Sequence, residues 1–145
     1  AVLAWEEIKR REKKERKSAL DGVPLSLPAL MSAQKLQHKA AKVGFDWDEC
    51  GPVWDKIQEE LKELEEAQRE GNRKQVEEEL GDVLFSVVNL SRFLDVDAEL
   101  AMLSCNRKFK TRFQFVEDMV KKTGKSWAEF TLEELDEFWE KAKKY

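Results

Sequence analysis

The sequence predicts an all-α protein, an antiparallel bundle of about five to six helices. Three observations predict it. Apolar residues recur every three or four positions over 53–64, 76–94 and 102–116, the period of a helix with one buried face. Charged residues make up 39% of the 145, with only 6 Gly and 3 Pro, a balance typical of helix-rich chains. No stretch alternates apolar and polar residues as a half-buried strand would, and the breaks between periodic segments are short, which implies antiparallel neighbours.

The elements follow in order. AWEEIKRREKKERKS (4–18) is helical in composition but almost entirely charged after Ile8, so it reads as a solvated helix or arm. DGVPLSLP (21–28) is a break punctuated by Pro24 and Pro28. A second helix is expected from Ala29 to Val43. GFDWDECGP (44–52) is a loop carrying Phe45 and Trp47. A third helix starts near Pro52, a favoured first-turn residue, and ends near Gly71. A fourth runs from about Asn72 to Leu94. Asp97 is placed to cap a fifth, which ends near Lys122. The sixth opens on Thr131 and Glu134, spaced as a capping box, and ends near Tyr145. The expected organisation is a charged connector over 1–27 and one helical domain over 28–145.

Composition excludes several classes. A net charge of −4 gives no global basis for binding nucleic acid or a membrane surface. The apolar runs are far too short to span a bilayer. AVLAW leads straight into charge, unlike a secretory leader. Cys50 and Cys105 have neither metal-type nor framework spacing, so a reduced, cytoplasmic setting is expected.

The acids of the third and fourth helices carry the chemistry. Val53, Trp54, Ile57, Leu61 and Leu64 form one apolar arc. Glu59 and Glu66 point away from it, whereas Glu60 falls inside and Glu63 lies on its edge. On the next helix the arc is Val76, Leu80, Val83, Val87, Leu90 and Leu94, with Glu79 at its edge and Asp82 just beyond. Each helix therefore carries acids at i and i+3 on the same flank, and a hairpin lets the two pairs face each other. Four carboxylates at a partly buried site repel one another and lose solvation, at several kcal/mol per unpaired charge. A hard divalent cation offsets that cost, and Mg²⁺ keeps room for waters and phosphate oxygens. The plainer alternative is an exposed hairpin whose acids pair with Lys56, Lys62, Arg73 and Lys74.

The fifth helix adds Lys108 and Arg112 on one flank of an arc of Met102, Cys105, Phe109, Phe113 and Val116, with Asn106 on the other. Long basic side chains often simply cover apolar edges. Beside metal-bound acids, however, such a pair suits a polyphosphate.

These residues resemble the MazG family of nucleoside triphosphate pyrophosphohydrolases, within the all-α NTP pyrophosphatases. The family signature E-E-x-x-E, spacer, E-x-x-D reads here as Glu59-Glu60-Leu61-Lys62-Glu63 and Glu79-Leu80-Gly81-Asp82. KVGFDW (42–47), GDVLFSVVNLSRFL (81–94) and Asn106, Lys108, Phe109, Arg112 and Phe113 match too, so the likeness covers roughly 28–145. The N-terminal arm looks like the connector of tandem MazG proteins, which implies that the chain is the C-terminal domain of a longer one. The resemblance implies a four-helix metal-binding core completed by a homodimer, consistent with VLFSVVNL (83–90) being apolar on more than one face. It implies Mg²⁺-dependent hydrolysis of (deoxy)nucleoside triphosphates to monophosphate and pyrophosphate, a broad-specificity housecleaning of the nucleotide pool. Mg²⁺, or Mn²⁺ in its place, would be held by Glu60, Glu63, Glu79 and Asp82. Glu59, Glu60 and Glu63 are all candidates for the carboxylate that takes a proton from water. Lys108 and Arg112 would hold the triphosphate with help from Asn106, and Lys143 is a further candidate. Phe45, Trp47 or Trp139 would stack on the base, and each has an equally good reading as ordinary core.

Two rivals remain in view, and a third is removed by the sequence itself. A di-iron bundle needs Glu-x-x-His motifs, and the only histidine, His38, does not follow a Glu at that spacing. A non-catalytic helical dimerisation module would present the acidic hairpin to a basic partner. A base-specific relative, acting on dUTP, dCTP or phosphoribosyl-ATP, would share the fold.

Overall fold

The computed structural model describes residues 2–15 and 17–145, with side chains for 4–11 and 17–145. Among these residues six α-helices and one 3₁₀ turn account for the regular structure. They are α1 (Val2–Glu15), α2 (Ala29–Lys42), α3 (Gly51–Glu70), α4 (Arg73–Phe93), α5 (Ala98–Thr123) and α6 (Leu132–Ala142), with the 3₁₀ turn at Trp127–Glu129. The all-α expectation holds. The chain forms two compact units, Ala1–Glu99 and Leu100–Tyr145.

In the first unit α3 and α4 form the central hairpin, and α2 packs against α4. The hairpin turns within two residues. Gly71, at φ 74°, closes α3 in the left-handed conformation that glycine adopts without strain, and its N–H reaches the carbonyls of Ala67 and Gln68. Asn72 then caps α4, its side chain accepting from Gln75 N. Val53, Ile57 and Leu90 form the core, with Cys50 and Phe93 against them. Gln34 ties α2 to the start of α5: its amide donates to Val96 O at 2.9 Å and its carbonyl accepts from Ala98 N at 2.8 Å.

The buried stripe of α4 differs from the sequence expectation. Val83 and Leu90 are buried as expected, but Leu80, Val87 and Leu94 are exposed, while Val88 and the polar Ser86 are buried. The helix is rotated because α2 and α3 both press on it, so its covered face is set by two neighbours rather than one. Trp54 and Leu61 of α3 are likewise exposed.

In the second unit, α6 opens with the expected capping box of Thr131 and Glu134. A second box, Ser126 with Glu129, caps the short 3₁₀ turn, which periodicity did not foresee. Val116, Val120 and Ala142 are buried, whereas Phe109 and Leu132 stand exposed. No described helix is long and apolar enough to cross a membrane.

Candidate metal centre

The centre is built on the hairpin. Spacing of three along α3 puts Glu60 and Glu63 one turn apart, and the same spacing along α4 does so for Glu79 and Asp82. Glu60, Glu79 and Asp82 each offer a carboxylate oxygen, all within 4.8 Å of one another. Glu60 is buried, Glu79 half-buried and Asp82 exposed, so the cluster opens at the Asp82 side. Glu63, one turn along α3, falls outside this group of three, but its carboxyl feels both Glu60 and Glu79.

Charge is unevenly compensated. Lys56, one turn before Glu60, puts its Nζ 3.0 Å from Glu60 Oε1 and 3.5 Å from Glu59. That bond holds Glu60 below the usual carboxyl range and raises Lys56. Glu63 is pushed up to about 7, first by the charge of Glu60 and then by the hydrogen bond they share. Burial, the largest influence, raises Glu79. Glu63 thus holds its proton far more tightly than Glu60 does. Glu60 Oε2 and Glu79 Oε2 are buried without a hydrogen-bond partner. Such oxygens cost roughly 1–3 kcal/mol or more each unless something binds them. An all-oxygen, partly desolvated and over-charged set is the donor chemistry that Mg²⁺ or Mn²⁺ favours, so the residues fit a hard divalent cation. Of the surface pairings considered from sequence, Lys56 is the one realised, and it neutralises a single acid of the cluster.

A cavity of about 670 Å³ opens beside this cluster. Lys56 is in its wall, as are Phe45, Trp47, Gln37, Phe85, Ser86 and Asn89. The loop carrying Phe45 and Trp47 is anchored by Arg92, whose guanidinium donates to both Asp46 oxygens at 2.9 and 2.7 Å and to Asn89 Oδ1. The Arg92 hydrogen bond is what chiefly depresses Asp46. Sequence reasoning missed Gln37, Ser86 and this clamp. The Asp46–Arg92 pairing spans 46 residues and has no local signature, although an Asn and an Arg three apart on one helix face were visible.

The remaining sequence candidates lie in the second unit. Asn106 and Lys108 are exposed and Arg112 half-buried. Trp139 packs at 5.4 Å on Phe109, beside stacked Phe113 and Trp127, in the wall of a smaller apolar cavity. Lys143 pairs with Glu140 at 3.1 Å. His38 is exposed, as a surface residue would be.

Fold and site together define a class: an all-helical domain whose central hairpin gathers carboxylates from i, i+3 pairs into one cluster that fits a divalent cation. Comparison with known proteins points to a family. Residues 53–116 match the MazG nucleotide pyrophosphohydrolase domain. The chain is 50% identical over 141 residues to the nucleoside triphosphate pyrophosphohydrolase/pyrophosphatase MazG of Thermotoga maritima, covering 96% of this chain and 54% of that protein. It is 47% identical over 148 residues to the nucleoside triphosphate pyrophosphohydrolase of Escherichia coli K12, covering 99% and 56%. An uncharacterized protein of Bacillus subtilis, YabN, is 45% identical over 148 residues, which is 30% of its length. The chain thus spans about half the length of the two named pyrophosphohydrolases.

Proposed function

We propose that this domain hydrolyses (deoxy)nucleoside triphosphates to nucleoside monophosphate and pyrophosphate with Mg²⁺, or Mn²⁺ in its place. The observation that carries this reading is the convergence of Glu60, Glu79 and Asp82 within 4.8 Å, with two buried carboxylate oxygens left without partners. The family match and the names of the two pyrophosphohydrolase relatives support it.

Glu60, Glu63, Glu79 and Asp82 hold the cation. When bound, it supplies neutralisation of phosphate charge and polarisation of the phosphoryl group. A water oxygen forms the new bond to phosphorus as the anhydride bond between the α- and β-phosphates breaks. One of Glu59, Glu60 and Glu63 takes the proton of that water. Lys56 favours the ionised form of Glu60, the form that would hold the cation. Lys108, Arg112, Asn106 and Lys143 are the proposed phosphate-binding groups.

The cavity beside the acids receives the nucleoside, with Phe45 and Trp47 offering stacking surfaces; Trp139 is the alternative platform. Its apolar walls and few polar groups suit a base and a sugar. The active form is a homodimer. In its support, Leu80, Leu84 and Val87 leave an apolar face of α4 exposed. The catalytic domain spans 28–145, with 1–27 as connector, in a cytoplasmic protein that binds neither nucleic acid nor membrane.

The test is a panel of ribo- and deoxyribonucleoside triphosphates incubated with the domain and Mg²⁺, with products resolved by chromatography. Monophosphate and pyrophosphate are expected from several bases. Diphosphate and phosphate, or no turnover, would overturn the reading. A rate confined to one base would replace broad housecleaning with a base-specific pyrophosphatase.

A further inference from the structure

The wall of the larger cavity contains two polar side chains at least nine-tenths buried, Gln37 and Ser86, each with bonding capacity left over. Gln37 is 8% exposed and Ser86 9%. The Gln37 amide nitrogen donates to Phe85 O at 2.8 Å, which fixes the orientation of the carboxamide and leaves Oε1 buried without a partner. Ser86 makes no side-chain hydrogen bond among the described residues. That is unusual for its position. A serine inside a helix commonly turns its hydroxyl back onto the carbonyl four residues earlier. Ser91, on the same helix, does so, donating to Val87 O at 3.2 Å. Ser86 leaves the carbonyl of Asp82 alone and keeps its hydroxyl free in the cavity wall.

Position along α4 says what would meet that hydroxyl. The α4 residues lining the cavity are Phe85, Ser86, Asn89 and Arg92, all on the C-terminal side of Asp82. On antiparallel α3 the cavity touches Lys56, one turn to the N-terminal side of Glu60. The cavity therefore starts one helical turn from the acids and runs away from them, in the same direction on both helices. A nucleotide with its phosphates at the acids lays its sugar one turn along, beside Ser86, and its base farther on.

We propose that Ser86 is a specificity-determining residue whose hydroxyl hydrogen-bonds a sugar hydroxyl of the bound nucleotide. The inference rests on the proposed function, because it needs the phosphates at the acid cluster. A hydroxyl serves as donor and acceptor, so it can meet either the 2′- or the 3′-OH of a ribose. The partnerless buried carbonyl of Gln37 is a second acceptor in the same cavity wall. A buried acceptor without a partner and a hydroxyl that makes no bond within the protein, both lining one cavity, suit a polar ligand better than apolar packing.

The test uses the full chain with Mg²⁺ and non-hydrolysable α,β-imido triphosphates of one base in ribo, 2′-deoxy and 3′-deoxy forms, with binding read by calorimetry. Ser86→Ala removes an unpaired hydroxyl and should fold at least as well as the parent; Ser86→Cys keeps the volume with a weaker donor. In the parent, removing the correct sugar hydroxyl should weaken binding roughly 3- to 10-fold, the worth of one neutral hydrogen bond. In Ser86→Ala that discrimination should vanish, because the ribo form falls to the level of the deoxy form. Cysteine should give an intermediate ratio. Sugar discrimination unchanged in Ser86→Ala, or all three ligands weakened equally, would overturn the role of Ser86 while leaving the pyrophosphohydrolase reading intact. A parent that binds none of the analogues would overturn both.

Discussion

Replacing Lys56 with methionine tests how the cluster is held together before a cation binds. The change keeps the length of the side chain but removes the ammonium 3.0 Å from Glu60 Oε1. Glu60 would be left as a buried carboxylate facing Glu63 and Glu79 with no compensating charge. Breaking a fully buried ion pair costs about 3–5 kcal/mol. An exposed pair is worth about 0–1 kcal/mol. The Glu60 side chain is 7% exposed but that of Lys56 is 40%, so water screens one partner and the expected loss lies between these limits, at about 2 kcal/mol. For a chain of this size that is a fall in Tm on the order of 5 °C. The assay is a pair of thermal melts, one in EDTA and one in millimolar Mg²⁺. The deficit should be full in EDTA near neutral pH and should shrink with Mg²⁺, since a cation among the acids replaces the missing charge. It should also shrink in acid. Glu60 is depressed in the folded state, so the pair stabilises above the ordinary carboxyl value of 4.5 and is lost as pH falls through the folded value. A variant that melts with the parent in EDTA near neutral pH would refute the claim that Lys56 neutralises the cluster.

Further outcomes follow from the same contacts. Glu63 is raised from its ordinary 4.5 to about 7, so its proton stabilises the metal-free fold below 4.5 and that contribution is lost as pH rises through about 7; the Tm in EDTA should fall over this range, and Glu63→Gln should flatten the fall. Asn72→Ala removes the cap on Gln75 N and should cost about 1 kcal/mol by urea denaturation, with helix content otherwise unchanged. Arg92→Ala frees Asp46 from both hydrogen bonds and loosens the loop bearing Phe45 and Trp47. Its expected signature is a higher KM for nucleoside triphosphates at little-changed kcat, and increased accessibility of Trp47 to a fluorescence quencher.

Much of this architecture was legible because local chemistry and tertiary structure agree. Gly71-Asn72 announces both the end of one helix and the cap of the next, and Thr131 with Glu134 announces another start. The acid pairs were legible because Glu60 interrupts an apolar arc, and burial at 5% exposure bears out the reason for noticing it. What remained hidden depends on more than one neighbour. The hydropathy period of α4 describes a helix covered by a single partner, which puts Val87 inside and Ser86 outside, whereas α2 and α3 both cover it. Gln37 is buried by its bond to a backbone carbonyl 48 residues away, which no hydropathy period encodes. The Ser126 and Glu129 box had the same spacing as the one that was recognised, but a three-residue turn has no periodic segment behind it to draw the eye.

The central claim is that the carboxylates of α3 and α4 form the site at which the triphosphate is split. Pyrophosphate release from a nucleoside triphosphate, measured with Mg²⁺ for the parent and for a Glu60→Gln, Asp82→Asn double variant of matched helix content, tests it most directly. The account predicts release by the parent, abolished by EDTA, and none by the double variant. Equal release by parent and variant would mean that the chemistry resides elsewhere.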